Sequence, residues 1–179
     1  MFEKAATRES YFLQDIEGQY AAAQACLQAG GTGPEHSVAL LQTLLTAEIA
    51  CVLRYSMMSI SREGLESNWA GTEFQAQAAD ERVHVQRIAA RIVALGGKPD
   101  YAPAGLLSRH VSPDAAEGVL AKRLEENLAA ERCVMELYRE LVAYFEGADP
   151  DSAALLSEIA EDEEAHASDM EDLLATYRN

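Results

Sequence analysis

Apolar residues recur three and four positions apart along four long segments of the chain, which is the spacing of one face of an α-helix. The pattern predicts four long helices, over residues 34–64, 69–95, 112–145 and from 149 almost to the last residue. Residues 3–29 show a weaker form of the same pattern and predict a further helical segment ahead of the four. Alanine, leucine and glutamate are frequent, and these residues favour helices. The sequence therefore predicts an all-α fold.

The lengths of the connections predict how the four helices are arranged. Short loops join the first helix to the second and the third to the fourth, so each pair is expected to be antiparallel neighbours. The second and third are joined by roughly sixteen residues, including Pro99, Pro103 and Gly105. Sixteen extended residues reach about 53 Å, and a helix of about 28 residues is about 42 Å long. We expect an antiparallel four-helix bundle with one long crossover over residues 34–179, after an N-terminal helical extension over residues 1–33.

Charge and composition narrow the classes of function. The chain has 179 residues, and it carries 30 acidic against 14 basic side chains, for a formal net charge of −16. The length suits one compact domain, and such a charge repels nucleic acids and attracts cations. We find neither a signal peptide nor an apolar run of about 18 residues, and the three cysteines form no CxxC pair. We expect a cytoplasmic protein that binds neither nucleic acid nor a membrane.

A glutamate interrupts the predicted buried face of each of the four helices near its middle, and on two of the helices a histidine accompanies it. The six residues concerned are Glu48, Glu81, His84, Glu131, Glu163 and His166. Burying one unpaired carboxylate costs several kcal/mol. The only basic side chain near these faces is Arg91, which lies well past the level of the six residues. Two divalent ions balance the charge of four carboxylates, and oxygen and imidazole donors suit iron or manganese. The pattern predicts a two-metal site inside the bundle.

Two of the helices carry the same short motif. Asp-Glu-x-x-His occurs at 80–84 and again at 162–166, and its spacing puts glutamate and histidine on one side of a helix. One Glu-x-x-His is a weak signal, but two at mid-helix, with a single glutamate on each of the other two helices, match the ligand set of ferritin-like di-iron bundles. Metal-bound histidines usually hydrogen-bond a carboxylate. We expect Asp80 and Asp162 to serve the histidine of the opposite helix.

On these residues the sequence resembles the ferritin superfamily, and it is similar to bacterioferritins and to the Dps-like ferritins of the thioferritin group. The resemblance covers roughly residues 35–177. It includes a glutamate followed seven residues later by a tyrosine, at Glu48 and Tyr55, a single glutamate at Glu131, and the two histidine motifs. It implies a ferroxidase that oxidises Fe(II) with O2 or H2O2 at a di-iron centre within one subunit, and that stores ferric mineral inside a protein shell.

The resemblance also implies a role for each ligand. Glu81 and Glu163 would bridge two iron ions, Glu48 and Glu131 would be terminal ligands, and His84 and His166 would each bind one iron. Manganese is an alternative, because these ligands suit both metals. Tyr55 is either an electron donor or hydrogen-bonding group near the irons, or a packing residue. Tyr138, Cys51 and Cys133 are expected to pack in the core, and His36 and Arg109-His110 to be solvated.

Three departures from the family limit what the resemblance implies. Arg82 stands where bacterioferritins carry the methionine that ligates haem, so we expect no haem. Thirteen residues follow His166, too few for the fifth helix of 24-subunit shells, and an N-terminal extension is present instead. We therefore expect a homo-oligomeric shell of 12 subunits, with 24 or a smaller assembly as alternatives. Residues 97–119 contain no cysteine that could pair with Cys133.

Two other functions stay open on the sequence alone. One is a di-iron or di-manganese oxidoreductase without storage, such as a rubrerythrin-type peroxide reductase or a small-molecule oxygenase. Rubrerythrins usually carry CxxC pairs, which this sequence lacks. The other is a DNA-protecting Dps shell. Dps proteins place their iron site between subunits and often carry a lysine-rich tail, whereas residues 1–10 hold only Lys4 and Arg8 as cations.

Overall fold

A computed structural model describes residues 11–61, 68–107 and 119–178 of the chain. These residues form five helices and no strand, which confirms the all-α fold. The helices are α1 (Tyr11–Gln28), α2 (Pro34–Ser59), α3 (Asn68–Ala94), α4 (Val119–Ala148) and α5 (Pro150–Arg178). The predicted start of the third bundle helix at Ser112 and the N-terminal residues 3–10 lie outside the described residues, as does Arg109-His110.

The helix ends follow local chemistry, and two of them differ from the prediction. Helix α4 continues through Gly147 to Ala148, beyond the predicted end at residue 145, and the amide of Asp149 still bonds to the carbonyl of Phe145. Helix α3 stops where Gly96 takes a positive φ of 82°, and the amides of Gly96 and Gly97 bond back to carbonyls of its last turn. This is the Schellman arrangement that glycine permits. Helix α2 ends at Ser59, short of the predicted Gly64. Ile60 has left helical geometry, and the amide of Ser61 bonds to the carbonyl of Met58 in a tighter turn.

Helices α2 to α5 form a bundle of two antiparallel hairpins. Helix α2 packs mainly on α3, and α4 mainly on α5, while α3 also lies against α5 and α2 against α4. The long connection leaves α3 and runs back beside α2, where the amide and carbonyl of Asp100 bond to the side chain of Gln42. It then reaches α1, because the amide of Leu107 donates to Asp15 at 2.8 Å. This path is consistent with a crossover between the two hairpins.

Helix α1 lies across the groove between α2 and α4. Its side chains Phe12, Ile16 and Ala23 are fully or almost fully buried and belong to the same apolar core as the bundle. By its length and composition alone, helix α2 could cross a membrane, but 56% of its most apolar stretch is buried inside the protein. Because α1 covers the outer side of α2, this helix has partners on three sides, and its apolar residues serve the core.

The buried faces agree closely with the predicted pattern, with one correction at the end of the chain. Tyr177 continues the apolar spacing of the last predicted helix four positions after Leu173, so the pattern predicts a buried side chain. In the structure Tyr177 is 43% exposed, and Leu174 is the last buried residue of α5. The last turn still reaches α4, but it does so through a charged pair at the surface, because Arg178 donates a hydrogen bond to Glu125. Met135, Val142 and Leu173 are only partly buried.

Candidate metal centre

The six predicted ligands meet at the middle of the bundle, and each of the four bundle helices contributes. They are Glu48 from α2, Glu81 and His84 from α3, Glu131 from α4, and Glu163 and His166 from α5. The four glutamates are 0% exposed, and the two histidines are 1% and 5% exposed. The structure thus brings together every residue that the sequence marked as a ligand, and removes all four carboxylates from water.

The ligand atoms form two overlapping groups. One group is Glu48, Glu81, His84 and Glu163, and the other is Glu81, Glu131, Glu163 and His166. Within each group the ligand atoms all lie within 4.8 Å of one another. Glu81 and Glu163 belong to both groups. The geometry therefore offers two adjacent ion positions, each with three carboxylates and one imidazole, that share two carboxylates.

Both histidines turn the same nitrogen toward the carboxylates. The Nδ1 atom of His84 lies 2.9 Å from Glu163 Oε1 and 3.2 Å from Glu81 Oε2. The Nδ1 atom of His166 lies 3.3 Å from Glu81 Oε1 and 3.5 Å from Glu163 Oε2. Each imidazole therefore faces both shared carboxylates, and Nδ1 is the nitrogen available to an ion.

The opposite nitrogen of each histidine points to an aspartate on the facing helix. The Nε2 atom of His84 lies 3.2 Å from Asp162 Oδ2, and that of His166 lies 3.6 Å from Asp80 Oδ2. The cross-helix pairing predicted from the two motifs is therefore observed. A carboxylate on Nε2 favours a proton there, which leaves Nδ1 as the free donor to a metal.

Two tyrosines donate hydrogen bonds to the carboxylates that are not shared. The hydroxyl of Tyr55 donates to Glu131 Oε1, and that of Tyr138 donates to Glu48 Oε1 at 2.6 Å. Tyr138 was expected only to pack, so its contact with the centre was missed. The sequence does hold a signal, because Tyr138 follows Glu131 by seven residues, just as Tyr55 follows Glu48. Each tyrosine bonds to the glutamate of the other helix, so the tyrosine of α2 reaches α4 and the tyrosine of α4 reaches α2.

The buried charges shift the titration of the site. Burial raises the pKa of Glu81, and the nearby charge of Glu48 raises it further. Burial likewise raises the pKa of Glu131, with a contribution from Glu163. Burial disfavours the protonated form of His166, but the adjacent carboxylates of Glu163 and Glu81 favour it more strongly and raise the pKa of His166 to about 12. Raised pKa values mean that Glu81, Glu131 and His166 hold protons more readily, and these protons offset part of the negative charge of the centre.

Several ligand atoms of the centre have no hydrogen-bond partner within the described residues. They are Glu48 Oε2, Glu81 Oε1, Glu131 Oε2, both carboxylate oxygens of Glu163, and His166 Nδ1. Leaving one buried polar group unsatisfied costs about 1–3 kcal/mol. Carboxylate oxygens and imidazole nitrogens are the donors that iron and manganese take, and two divalent ions balance four carboxylates. The donor set fits a pair of such ions.

A cavity of about 250 Å³ lies against the outer edges of the two histidines, between α3 and α5. Besides the histidines, its polar lining is Glu73, Gln77, Asp80, Asp162 and Asp169. A concave surface lined by acidic side chains concentrates cations. The cavity gives ions a polar approach to the centre from the side of the bundle opposite α1.

The other residues considered in the sequence fall outside the centre or beside it. Cys51 and Cys133 are free thiols, and burial raises the pKa of both, that of Cys133 to about 11. His36 was expected to be solvated, but it is half-buried, and its ring lies 5.5 Å from that of Tyr144. This correction arises because α1 packs over the start of α2, where Cys26 Sγ lies 3.7 Å from His36 Nδ1.

The fold and the centre are those of one class of protein, the four-helix bundles that carry a carboxylate-rich site for two metal ions between two antiparallel hairpins. A family model described as the ferritin-like domain matches residues 38–179. The chain belongs to the ferritin-like family.

Individual relatives are bacterioferritins. The chain is 32% identical over 141 residues to the bacterioferritin of Mycobacterium leprae (strain TN), covering 76% of this chain and 82% of the relative. It is 31% identical over 137 residues to bacterioferritin BfrA of Mycobacterium tuberculosis (strain ATCC 25618 / H37Rv), covering 74% and 79%. A solved structure of Rhodobacter capsulatus bacterioferritin, described with a metal-free dinuclear site and haem iron, superposes with a TM-score of 0.67 at 25% identity. It covers 83% of this chain and 89% of that one.

Proposed function

We propose that the protein oxidises Fe(II) to Fe(III) at the buried centre and stores the product as soluble ferric mineral. The observation that carries the proposal is the pair of four-residue donor groups that share Glu81 and Glu163. Membership of the ferritin-like family and similarity to bacterioferritins support it. On this proposal Glu48 and His84 would hold one Fe(II), Glu131 and His166 would hold the other, and the carboxylates of Glu81 and Glu163 would serve both.

The reaction that this arrangement supports is a two-electron reduction of an oxidant. Two Fe(II) ions lose one electron each, and H2O2 with two protons yields two water molecules, or O2 with two protons yields H2O2. The chain supplies the binding groups, holds the imidazoles through Asp80 and Asp162, and keeps the centre out of bulk water. Tyr55 fixes the Glu131 carboxylate by a hydrogen bond, which favours the hydrogen-bonding role of this tyrosine.

The proposal extends to cofactor and assembly. It uses two iron ions per subunit and no haem, because Arg82 occupies the position of the haem-ligating methionine of the family. It places the chain in a cytoplasmic homo-oligomeric shell, which keeps the mineral soluble, with 12 subunits as the prediction to be tested.

A non-storage oxidoreductase is the second candidate. A small-molecule oxygenase requires an apolar pocket beside the irons. The cavity at this centre is instead lined mainly by carboxylates and an amide, with Val83 and Ala165 as its apolar members. That lining favours a cation as the substrate over an apolar molecule.

The experiment counts iron. Fe(II) is added anaerobically to the metal-free protein, O2 is admitted, and the iron held in solution per assembled particle is measured. Uptake far beyond two ions per chain is expected. Saturation at two ions per chain would exclude storage and leave redox enzymology, so the search would turn to substrates. As a control, Glu81→Ala combined with His84→Ala should abolish tight binding of both ions, and an unchanged stoichiometry would refute the ligand assignment.

A further inference from the structure

Helix α1 brings an aromatic side chain toward the metal centre from outside the four-helix bundle. Phe12 is fully buried, and its ring meets the ring of Tyr55 edge to face, with centroids 6.1 Å apart and planes at 67°. The guanidinium carbon of Arg54 lies 5.3 Å from the centre of the Phe12 ring. Both contacts are attractive. Phe12 is therefore held against two consecutive residues of α2.

The Arg54 side of this contact is itself fixed by α4. The Nε atom of Arg54 donates to Asn127 Oδ1 at 2.9 Å, and its Nη2 atom donates to Glu126 Oε2 at 3.3 Å. Arg54 is 8% exposed and Asn127 is fully buried. A buried guanidinium with two bonded partners has little freedom to move, so it gives the Phe12 ring a rigid neighbour.

The Tyr55 side of the contact leads into the centre. Besides Phe12, the Tyr55 ring contacts Phe74 of α3 in a stacked pair, with centroids 6.2 Å apart and planes at 10°. The Tyr55 hydroxyl donates to Glu131 Oε1, while the other oxygen of Glu131 has no hydrogen-bond partner in the part of the chain that the structure describes. The Tyr55 hydroxyl therefore connects the ring that Phe12 contacts to the carboxylate of Glu131.

We propose that Phe12 is a positioning residue that fixes the ring of Tyr55, and through it the Glu131 carboxylate of one of the two ion positions. The inference rests on the proposed function, because it takes the two donor groups to be ion sites. It also predicts an asymmetry. The corresponding carboxylate at the other position, Glu48, is held by Tyr138 of α4, and none of the aromatic contacts described for Phe12 involves Tyr138.

The test is a titration of the full-length, metal-free protein with Co(II), which takes the same ligand types as iron and serves as the probe. Phe12→Ala should weaken the ion position that contains Glu131 by about tenfold, the lower end of the loss typical when the hydrogen-bond partner of a metal ligand is removed, because Phe12 acts through the partner Tyr55. The other position should change by less than about twofold. The two binding steps are assigned with Glu131→Gln and Glu48→Gln as references.

Ile16→Ala is the matched control. Ile16 is also buried on the inner face of α1, so its truncation leaves a core cavity too, without removing a ring from Tyr55. If Ile16→Ala weakens Co(II) binding in the same way as Phe12→Ala, Phe12 is a packing residue and the proposal fails. If Phe12→Ala does not fold, Phe12→Leu is titrated against the same criteria, since leucine keeps most of the volume but not the ring edge.

A double variant separates positioning from general destabilisation. Tyr55→Phe removes the hydroxyl that Phe12 is proposed to place, so it should weaken the same ion position. Adding Phe12→Ala to Tyr55→Phe should then cause little further loss, because both changes break one chain of contacts. Fully additive losses would overturn the proposal. Wild-type protein that binds no Co(II) would instead refute the proposed function, so the two failures are distinguishable.

Discussion

At the scale of single residues, the two carboxylates that belong to one ion position each are held by a tyrosine from the opposite hairpin. Tyr55 of α2 donates to Glu131 of α4, and Tyr138 of α4 donates to Glu48 of α2. Within residues 11–61, 68–107 and 119–178, no tyrosine donates to Glu81 or Glu163, and these two carboxylates face both histidines instead. The carboxylates of the centre therefore form two sets, the shared pair Glu81 and Glu163 and the unshared pair Glu48 and Glu131. Substitutions in the two sets should affect ion binding differently.

Replacing a shared carboxylate should have a larger effect on stoichiometry than replacing an unshared one. Glu163→Gln removes a ligand from both donor groups, whereas Glu48→Gln removes a ligand from one. By calorimetry with Co(II), we expect two tightly bound ions for the wild type, one for Glu48→Gln and none for Glu163→Gln. Equal losses from the two variants would contradict the assignment of Glu163 to both positions.

The sequence locates the six buried residues of the centre well because a carboxylate in the middle of an apolar helix face is too costly to occur without a partner. It predicts Tyr138 poorly for the opposite reason. A tyrosine is common in cores, and its hydroxyl needs only one hydrogen bond, so the residue type says nothing about which partner it finds. Only the repeated seven-residue interval from glutamate to tyrosine marks it.

At the scale of helices, the start of α5 joins the two hairpins. Asp149 precedes Pro150, the first residue of α5, and accepts a hydrogen bond of 2.5 Å from the hydroxyl of Ser152. Arg91, near the end of α3, donates two bonds to the same carboxylate at 2.6 and 2.7 Å. Asp149 therefore caps one helix and anchors it to another.

Asp149→Ala should lower the free energy of unfolding at neutral pH by about 1–2 kcal/mol, the usual loss for a helix cap. Partial burial alone would raise the pKa of Asp149, but hydrogen bonds from Arg91 and Ser152 outweigh it and lower the pKa below its usual value of 3.8. A lowered pKa means that this stabilisation is present above pH 3.8 and is lost as the pH falls through the folded-state pKa.

Chemical denaturation at pH 7 and at pH 3 tests this expectation. The difference between wild type and Asp149→Ala should shrink at the lower pH. The control is Asp151→Ala, because Asp151 pairs with Arg91 at 3.5 Å but is 84% exposed, and exposed pairs contribute little. An equal loss from both variants, or a loss that does not depend on pH, would contradict the capping role.

Helix positions were more predictable than helix partners. Periodicity and capping residues locate α3 and α5 to within a residue or two. The end of α2 was placed too late because Ile60 is compatible with a helix, and the obvious helix breaker is Gly64. The placement of α1 across α2 and α4 could not be predicted, because a periodic pattern says which face is buried but not what covers it.

At the scale of the whole molecule, the described chain closes one side of the bundle with its own helix. Helix α1 covers the groove between α2 and α4, held by Tyr20 and Gln24, which both donate to Glu140. The groove between α2 and α4 is therefore covered by α1 and is not open to another copy of the chain.

We expect purified protein to form one homo-oligomeric particle, with a mass twelve times that of the chain by light scattering. The physical reason for an assembly is that a single bundle has no interior in which mineral could be kept from precipitating. A mass of twenty-four chains would correct the predicted shell size. A monomer that holds no iron beyond two ions per chain would contradict the storage function.

The buried ligand atoms that lack hydrogen-bond partners in the described part of the chain also link the rate at which the protein is degraded to the ions that it binds. Ions that bind the folded chain and not the unfolded one add about 2.7 kcal/mol of stability when their free concentration is a hundred times the dissociation constant. That shift lowers the unfolded fraction about a hundredfold, and unfolded chains are the ones that proteases degrade. On the proposed function, the protein would accumulate when iron is plentiful and be degraded first when iron is scarce, without any separate sensor.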